Sequence, residues 1–176
     1  MKKTIIHLTI ISLSMIHFAS AQEFNIGTNV INGGIGLGGS YGSYTTSSQS
    51  LGLSASFERG VWEVPGPGVV SLGGFLGYKT YNYDYFGGND KWTYTVIGVR
   101  GVYHYNGFDI ENLDLYGGAM ISYRILSYNG TSGNFGSRPG ATGFVGARWF
   151  FADNLAVFAE GGYGFAYLTL GISFRI

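Results

Sequence analysis

The ten residues from Tyr167 to Ile176 alternate without a break. Leu168, Leu170, Ile172, Phe174 and Ile176 fall on one face, and Tyr167, Thr169, Gly171, Ser173 and Arg175 on the other. A period of two is the signature of a β-strand. One face is uniformly large and apolar, whereas the other is small, polar or tipped with a polar group. Beyond residue 21 no apolar run is long enough for a membrane helix, which needs roughly 20 residues. Charged residues make up only 11% of the chain, against roughly 25% in soluble domains. Such a chain can still place a large apolar surface by alternation, one side chain facing lipid and the next facing a lumen. The fold class this predicts is all-β, an eight-stranded antiparallel up-and-down transmembrane β-barrel.

The start of the chain fits export. Met1-Lys2-Lys3 is a short basic head, Thr4 to Phe18 is mostly apolar, and Ala19-Ser20-Ala21 supplies small residues for a peptidase. This three-part pattern predicts a cleaved secretory signal peptide over residues 1–21, with Gln22 opening a single domain over 22–176. The apolar run is too short for a spanning anchor and carries His7 and His17. Cleavage would remove Lys2 and Lys3 but no acid from a chain with 10 basic and 10 acidic residues. No basic excess points to nucleic acid. With no cysteine, disulfides and thiolate metal sites are excluded.

Seven further segments repeat the alternation. Ile31, Ile35, Leu37 and Tyr41 point outward in the first, about 28–41. Leu51, Leu53, Ala55 and Phe57 do so in the second, about 48–59, with Gly52, Ser54, Ser56 and Glu58 inward. The third, about 68–82, places Val70, Leu72, Leu76 and Tyr78 out and Ser71, Gly73 and Lys79 in. The fourth, about 91–105, places Ile97, Val99 and Tyr103 out and Gly98, Arg100 and His104 in. The fifth, about 115–128, turns Ile121, Tyr123 and Ile125 out and Tyr116, Ser122 and Arg124 in. In the sixth, about 141–151, Val145, Ala147, Trp149 and Phe151 face out, and Gly146 and Arg148 in. The seventh, about 155–163, places Val157, Ala159 and Tyr163 out and Ala156, Phe158 and Glu160 in.

Turn residues separate these segments. Stretches 59–68, 106–114 and 153–154 are read as periplasmic, and 42–48, 83–91, 128–140 and 163–167 as external. Aromatics gather near both ends of the strands, as in the girdles of membrane barrels. Tyr41, Tyr81, Tyr83, Trp92, Tyr94, Tyr123, Tyr128 and Tyr163 mark the outer end. Trp62, Tyr103, Tyr105, Trp149 and Phe174 mark the inner end.

Residues 146–154 (Gly-Ala-Arg-Trp-Phe-Phe-Ala-Asp-Asn), Val157 to Glu160 and the ending Tyr167 to Ile176 resemble the outer-membrane β-barrel family of the OmpA/OmpX type. Gly98 to His104 resembles the fourth strand of that family. The resemblance implies an integral barrel in the outer membrane of a Gram-negative cell envelope. Its partners would be outer-membrane lipid and the barrel-assembly machinery, which reads the last strand. Members often end in Phe or Trp, whereas this chain ends in Ile176 with Phe174 two residues earlier.

The inward charges are Glu58, Lys79, Arg100, Arg124, Arg148, Glu160 and Arg175. Glu160 on the seventh segment lies between Arg148 on the sixth and Arg175 on the eighth. An ion-pair network centred on Glu160 is expected, either as a polar plug or as a gate. An eight-stranded barrel is just wide enough to be filled by its own side chains, which favours the plug. His104 is the only histidine after residue 21, and the spacing reveals no acid beside it. Asp84 and Asp90 share a loop but match no calcium pattern. Gly33-Gly34-Ile35-Gly36 lacks the following helix and Lys of a phosphate loop. No catalytic residue, metal or cofactor is expected. The function expected is a structural or surface-binding role without catalysis, its extracellular ligand unnamed. A narrow porin-like pore, a lipid-modifying enzyme using His104 and a soluble lipocalin-like carrier are the alternatives.

Overall fold

The computed structural model describes residues 24–39, 48–86, 88–108, 110–129 and 136–176. The leader over 1–21 and Tyr41 lie outside the described residues. The strands are β1 (Asn29–Leu37), β2 (Ser48–Gln49), β3 (Gly52–Val64), β4 (Gly68–Tyr85), β5 (Gly88–Tyr105), β6 (Leu113–Tyr128), β7 (Arg138–Ala152), β8 (Leu155–Gly162) and β9 (Leu168–Arg175). All neighbours pair antiparallel. The two-residue β2 and β3 both pair with β4 and form one barrel strand, broken at Ser50 and Leu51. Ser50 bridges the break: its N–H donates to the Thr80 carbonyl at 2.8 Å, and its hydroxyl accepts from the Thr80 N–H at 2.9 Å. Pairing of β1 with β9 joins the two ends of the described chain and closes an eight-stranded barrel.

Closure leaves no unpaired sheet edge around the belt, a requirement for spanning lipid with strands. Alternation then sorts the side chains. Ile97, Val99, Ile121, Val145, Val157, Leu170 and Ile172 all stand exposed on the outer wall. Soluble monomers rarely expose contiguous apolar patches beyond a few hundred Å². An apolar surface around the whole circumference is built for lipid. The inward parity carries Glu58, Ser71, Arg100, His104, Arg148 and Ser173, all buried.

One end of the barrel carries short turns. The first is Pro65-Gly66-Pro67, where Gly66 takes φ 113°, a value that L side chains rarely adopt. The others are 106–112 and the Asp153-Asn154 turn. The expected breaks at 59–68 and 106–114 are therefore shorter than their composition suggests, because β3 continues to Val64 and β6 starts at Leu113.

At the opposite end the walls are uneven. β4 and β5 are each 18 residues long and stay paired from Gly68–Tyr105 up to Tyr85–Gly88. The stretch 83–91, expected to be a loop, is mostly the top of this hairpin. Its Tyr, Asp, Asn and Gly residues read as loop, but cross-strand pairing holds them extended. A tilted strand crosses the hydrocarbon in about 9–11 residues, so this hairpin rises well above the belt. β8 and β9, with 8 residues each, do not.

Candidate functional site

The lumen is filled in three layers. The layer nearest the short turns is built on Arg148 of β7, whose side chain is 0% exposed. Its Nη1 donates to Asp114 Oδ2 of β6 at 2.5 Å. Its Nη2 donates to Glu58 Oε1 of β3 and to Asn32 Oδ1 of β1 at 3.2 Å. Its Nε donates to Ser173 Oγ of β9 at 3.0 Å. One guanidinium thus ties four other strands together. Burying such charges costs several kcal/mol each, and only good geometry with filled hydrogen-bond positions offsets that cost. Arg suits the task because its planar fork presents five fixed donors.

His104 of β5 stands beside this group. Its Nδ1 is 2.9 Å from Asp114 Oδ1, and its Nε2 is 3.0 Å from Ser71 Oγ of β4. An ionised carboxylate only accepts, so Nδ1 carries a hydrogen toward Asp114; in the neutral ring Nε2 then accepts from the Ser71 hydroxyl. Spacing does not show this acid partner of His104, because residues 106–114 carry the polar composition of a turn although β6 starts at Leu113. Ser71, His104 and Asp114 follow the order of a nucleophile, base and orienting acid. Access is what they lack. Ser71 and His104 are fully buried, and the Phe24 ring lies flat on His104, 3.5 Å between centroids at 1°. No substrate bond reaches the Ser71 hydroxyl in this arrangement.

The middle layer holds the second ion pair. Arg100 Nη2 of β5 donates to Glu160 Oε2 of β8 at 2.7 Å, and the Tyr116 hydroxyl lies 3.5 Å from the same oxygen. Arg100 also lies 4.1 Å over the Phe144 ring. Glu160 was expected to be the centre of the network, paired with Arg148 and Arg175. Instead it is satellite to Arg100, while Arg148 is the centre. The register explains the difference. Glu160 faces Gly146 on β7 and Thr169 on β9, and in a narrow lumen its carboxylate reaches across to a non-adjacent strand more easily than along its own wall.

Glu160→Gln is expected to destabilise the barrel by less than the roughly 3–5 kcal/mol typical of breaking a buried pair, because the Glu160 side chain keeps 15% exposure. Urea unfolding of the micelle-bound barrel checks this, and an unchanged midpoint would remove any structural role for the pair.

The outermost layer is apolar: Tyr81, Trp92, Tyr94, Val96, Phe165 and Ala166 pack together. Here the expected outer girdle needs correction. Tyr81, Trp92 and Tyr94 do not face lipid but are buried inside; Trp92 and Tyr94 share the inward parity of Arg100. Tyr78, Tyr123 and Tyr163 do face outward. Phe165 comes from the connection between β8 and β9, which folds into the lumen instead of standing outside it. Three glycines make its seat. A Cβ on Gly52 would stand 2.8 Å from the Phe165 ring, one on Gly77 2.7 Å, and one on Gly36 3.2 Å. Lys79 ties this connection to the end of β1: its amine donates to the Gly38 carbonyl and, at 3.5 Å, to that of Phe165.

The remaining inward cations lie near the rims. Arg124 donates to the Pro139 carbonyl at 3.0 Å, and Arg175 lies 3.9 Å over the Phe150 ring. Tyr167, expected inward, is exposed and precedes β9. Among the described residues no cluster of three or more His, Asp or Glu is arranged to hold a metal.

A closed barrel with an apolar wall and a polar, filled lumen defines the class: a small eight-stranded β-barrel of the outer-membrane type. One solved structure agrees in fold, and a second is similar over most of its length. Ail, the attachment invasion locus protein of Yersinia pestis, in complex with the heparin analogue sucrose octasulfate, is similar over 86% of this chain and 99% of that chain, at 15% identity and TM-score 0.53. The N-terminal β-barrel domain of Pseudomonas aeruginosa OprF is similar over 86% of this chain and 98% of that one, at 14% identity and TM-score 0.45. No family model and no curated protein matches the chain. The fold implied by the OmpA/OmpX resemblance is the fold observed.

Proposed function

We propose that this chain is exported through a leader cleaved after Ala21 and inserts into a Gram-negative outer membrane as a non-conducting, non-catalytic barrel that presents its raised wall at the cell surface. The observation that carries this reading is the combination of a lipid-facing exterior with a lumen packed with side chains among the described residues, which leave a space of only about 30 Å³ between the Arg100–Glu160 pair and Phe165. A soluble carrier has the opposite arrangement, polar outside and apolar within. The short-turn end faces the periplasm, following the rule for such barrels. Outer-membrane lipid covers the apolar belt, and the assembly machinery engages β9, whose outward row ends in Phe174 and Ile176.

The reading separates from its rivals in one set of preparations. The expressed protein should fractionate with outer membranes and migrate differently on gels before and after boiling. In planar bilayers it should give no discrete conductance, since Phe165 and the Arg148 group close the lumen; steady single-channel steps would establish a pore instead. A fluorophosphonate probe should leave Ser71 unlabelled, and lipid A mass should be unchanged by expression. Labelling lost in Ser71→Ala would move the protein to the enzyme class.

One observation bears on a surface ligand. Arg124 and Arg138 face each other across β6 and β7 at the outer rim. A sulfated or phosphorylated polymer reaching this rim would meet both cations. Retention on immobilised heparin, abolished in Arg138→Gln, tests this second reading, and equal retention of both proteins would end it.

A further inference from the structure

Apart from a space of about 30 Å³ between the Arg100–Glu160 pair and Phe165, the described lumen is filled in its three layers, whereas its short-turn mouth is not. A cavity of about 220 Å³ lies there, below the Arg148 group. Phe24, Tyr105, Phe108 and Phe150 give it an aromatic wall, and it opens past the exposed Phe108, Ile110 and Glu111.

Arg175 lines this cavity. The two deep arginines of the lumen have acids, Arg148 with Glu58 and Asp114 and Arg100 with Glu160. Among the described residues Arg175 has no such partner. Its guanidinium lies on the Phe150 ring, and its Nε is buried with nothing to donate to. Of the two acids lining the same cavity, Asp114 is already held by His104 at 2.9 Å and Arg148 at 2.5 Å, and Glu111 stands exposed at the opening. A buried donor without an acceptor costs about 1–3 kcal/mol, more when charged. The cavity therefore combines a guanidinium that has no carboxylate partner among the described residues with an apolar wall.

We infer that this vestibule binds a small monocarboxylate carrying an apolar body. Arg175 takes the carboxylate through its fork, the geometry in which guanidinium binds such groups best. The aromatic wall takes the apolar part. Size limits the ligand: the volume falls below the roughly 300–1,000 Å³ of pockets for drug-sized molecules. A ligand of one or two amino-acid residues fits this limit, and a long acyl chain does not. Glu111 at the opening disfavours a second negative charge and favours an ammonium. The inference uses the proposed orientation only to place the site in the periplasm.

Titration of the micelle-refolded barrel tests it, with N-acetylphenylalanine, its neutral amide and free phenylalanine as probes and thermal unfolding as readout. The acid should raise the unfolding temperature in a saturable way and bind at least tenfold more tightly than the amide. Arg175→Met should erase that preference, and Arg175→Lys should restore only part of it. Equal binding of acid and amide to the wild-type protein, or no binding of either, overturns the inference without any variant having to fold. A preference surviving in Arg175→Met overturns the role of Arg175. Free phenylalanine binding more tightly than the acetylated acid would assign the ammonium to Glu111. These measurements do not depend on the membrane of origin, so a failed localisation experiment and a failed titration remain distinct results.

Discussion

Arg148→Met should cost the folded barrel about 3–5 kcal/mol, the range for removing one partner of a buried ion pair. Methionine keeps much of the side-chain volume, so the loss reads the charge and its four contacts. Glu58 and Asp114 would be left facing each other's neighbourhood with no cation between them. Urea unfolding, followed by the fraction of fast-migrating unboiled protein, measures it. Two carboxylates share the one guanidinium, and Glu58 Oε2 has no hydrogen-bond partner. Glu58→Gln alone should therefore be much milder than Arg148→Met. Adding Glu58→Gln and Asp114→Asn to Arg148→Met should recover most of the loss. An Arg148→Met barrel that unfolds at the wild-type urea concentration would show that the layer does not hold the strands together.

The second large effect belongs to the outer wall. Val99, 65% exposed, pairs with Gly74 of β4 and Ile121 of β6 near the middle of the belt. Val99→Arg should destabilise the barrel by about 2–4 kcal/mol, as measured for arginine at the bilayer midplane of such proteins. Phe86→Arg, at the tip of the raised hairpin, should cost almost nothing, because that residue stands beyond the lipid. The comparison is best made by reversible unfolding in the presence of phospholipid vesicles. Equal effects at the two positions would mean that the belt is not at Val99.

What the sequence shows plainly is parity. Leu168 to Ile176, Ile97 with Val99, and Val145 with Trp149 all stand on the face that alternation assigns. Parity is a local property, and it survives wherever one face meets lipid and the other does not. It fails where that contrast fades. Above the belt, residues 83–91 lose the alternating pattern, and their turn-forming composition hides two paired strand ends. Trp92 and Tyr94 drew a girdle assignment from residue type although their parity points inward. Asp114 is the second residue of a strand and lies directly across from Arg148, and a strand start expected two residues late leaves it out of the lumen. The Arg100–Glu160 pair was the least accessible. It joins β5 to β8 across the barrel, and which side chains meet there depends on tilt and stagger, not on spacing along the chain.

Among the described residues every seam of the barrel except one joins strands that follow each other in the chain. The exception is β1 with β9, whose registered partners, such as Asn32 and Ser173, lie 141 positions apart. Closing so long a loop carries an entropic penalty that hairpins avoid, and contacts of high sequence separation form late. The polar layer reaches across this seam. Ser173 donates to Asn32 across it at 2.6 Å, and Arg148 binds both. The buried charges thus serve as a clasp on the last join. Until β1 and β9 meet in register, Arg148 lacks two of its four partners, so a slipped or half-closed barrel carries an incompletely satisfied cation, and the correct closure is the one that relieves it.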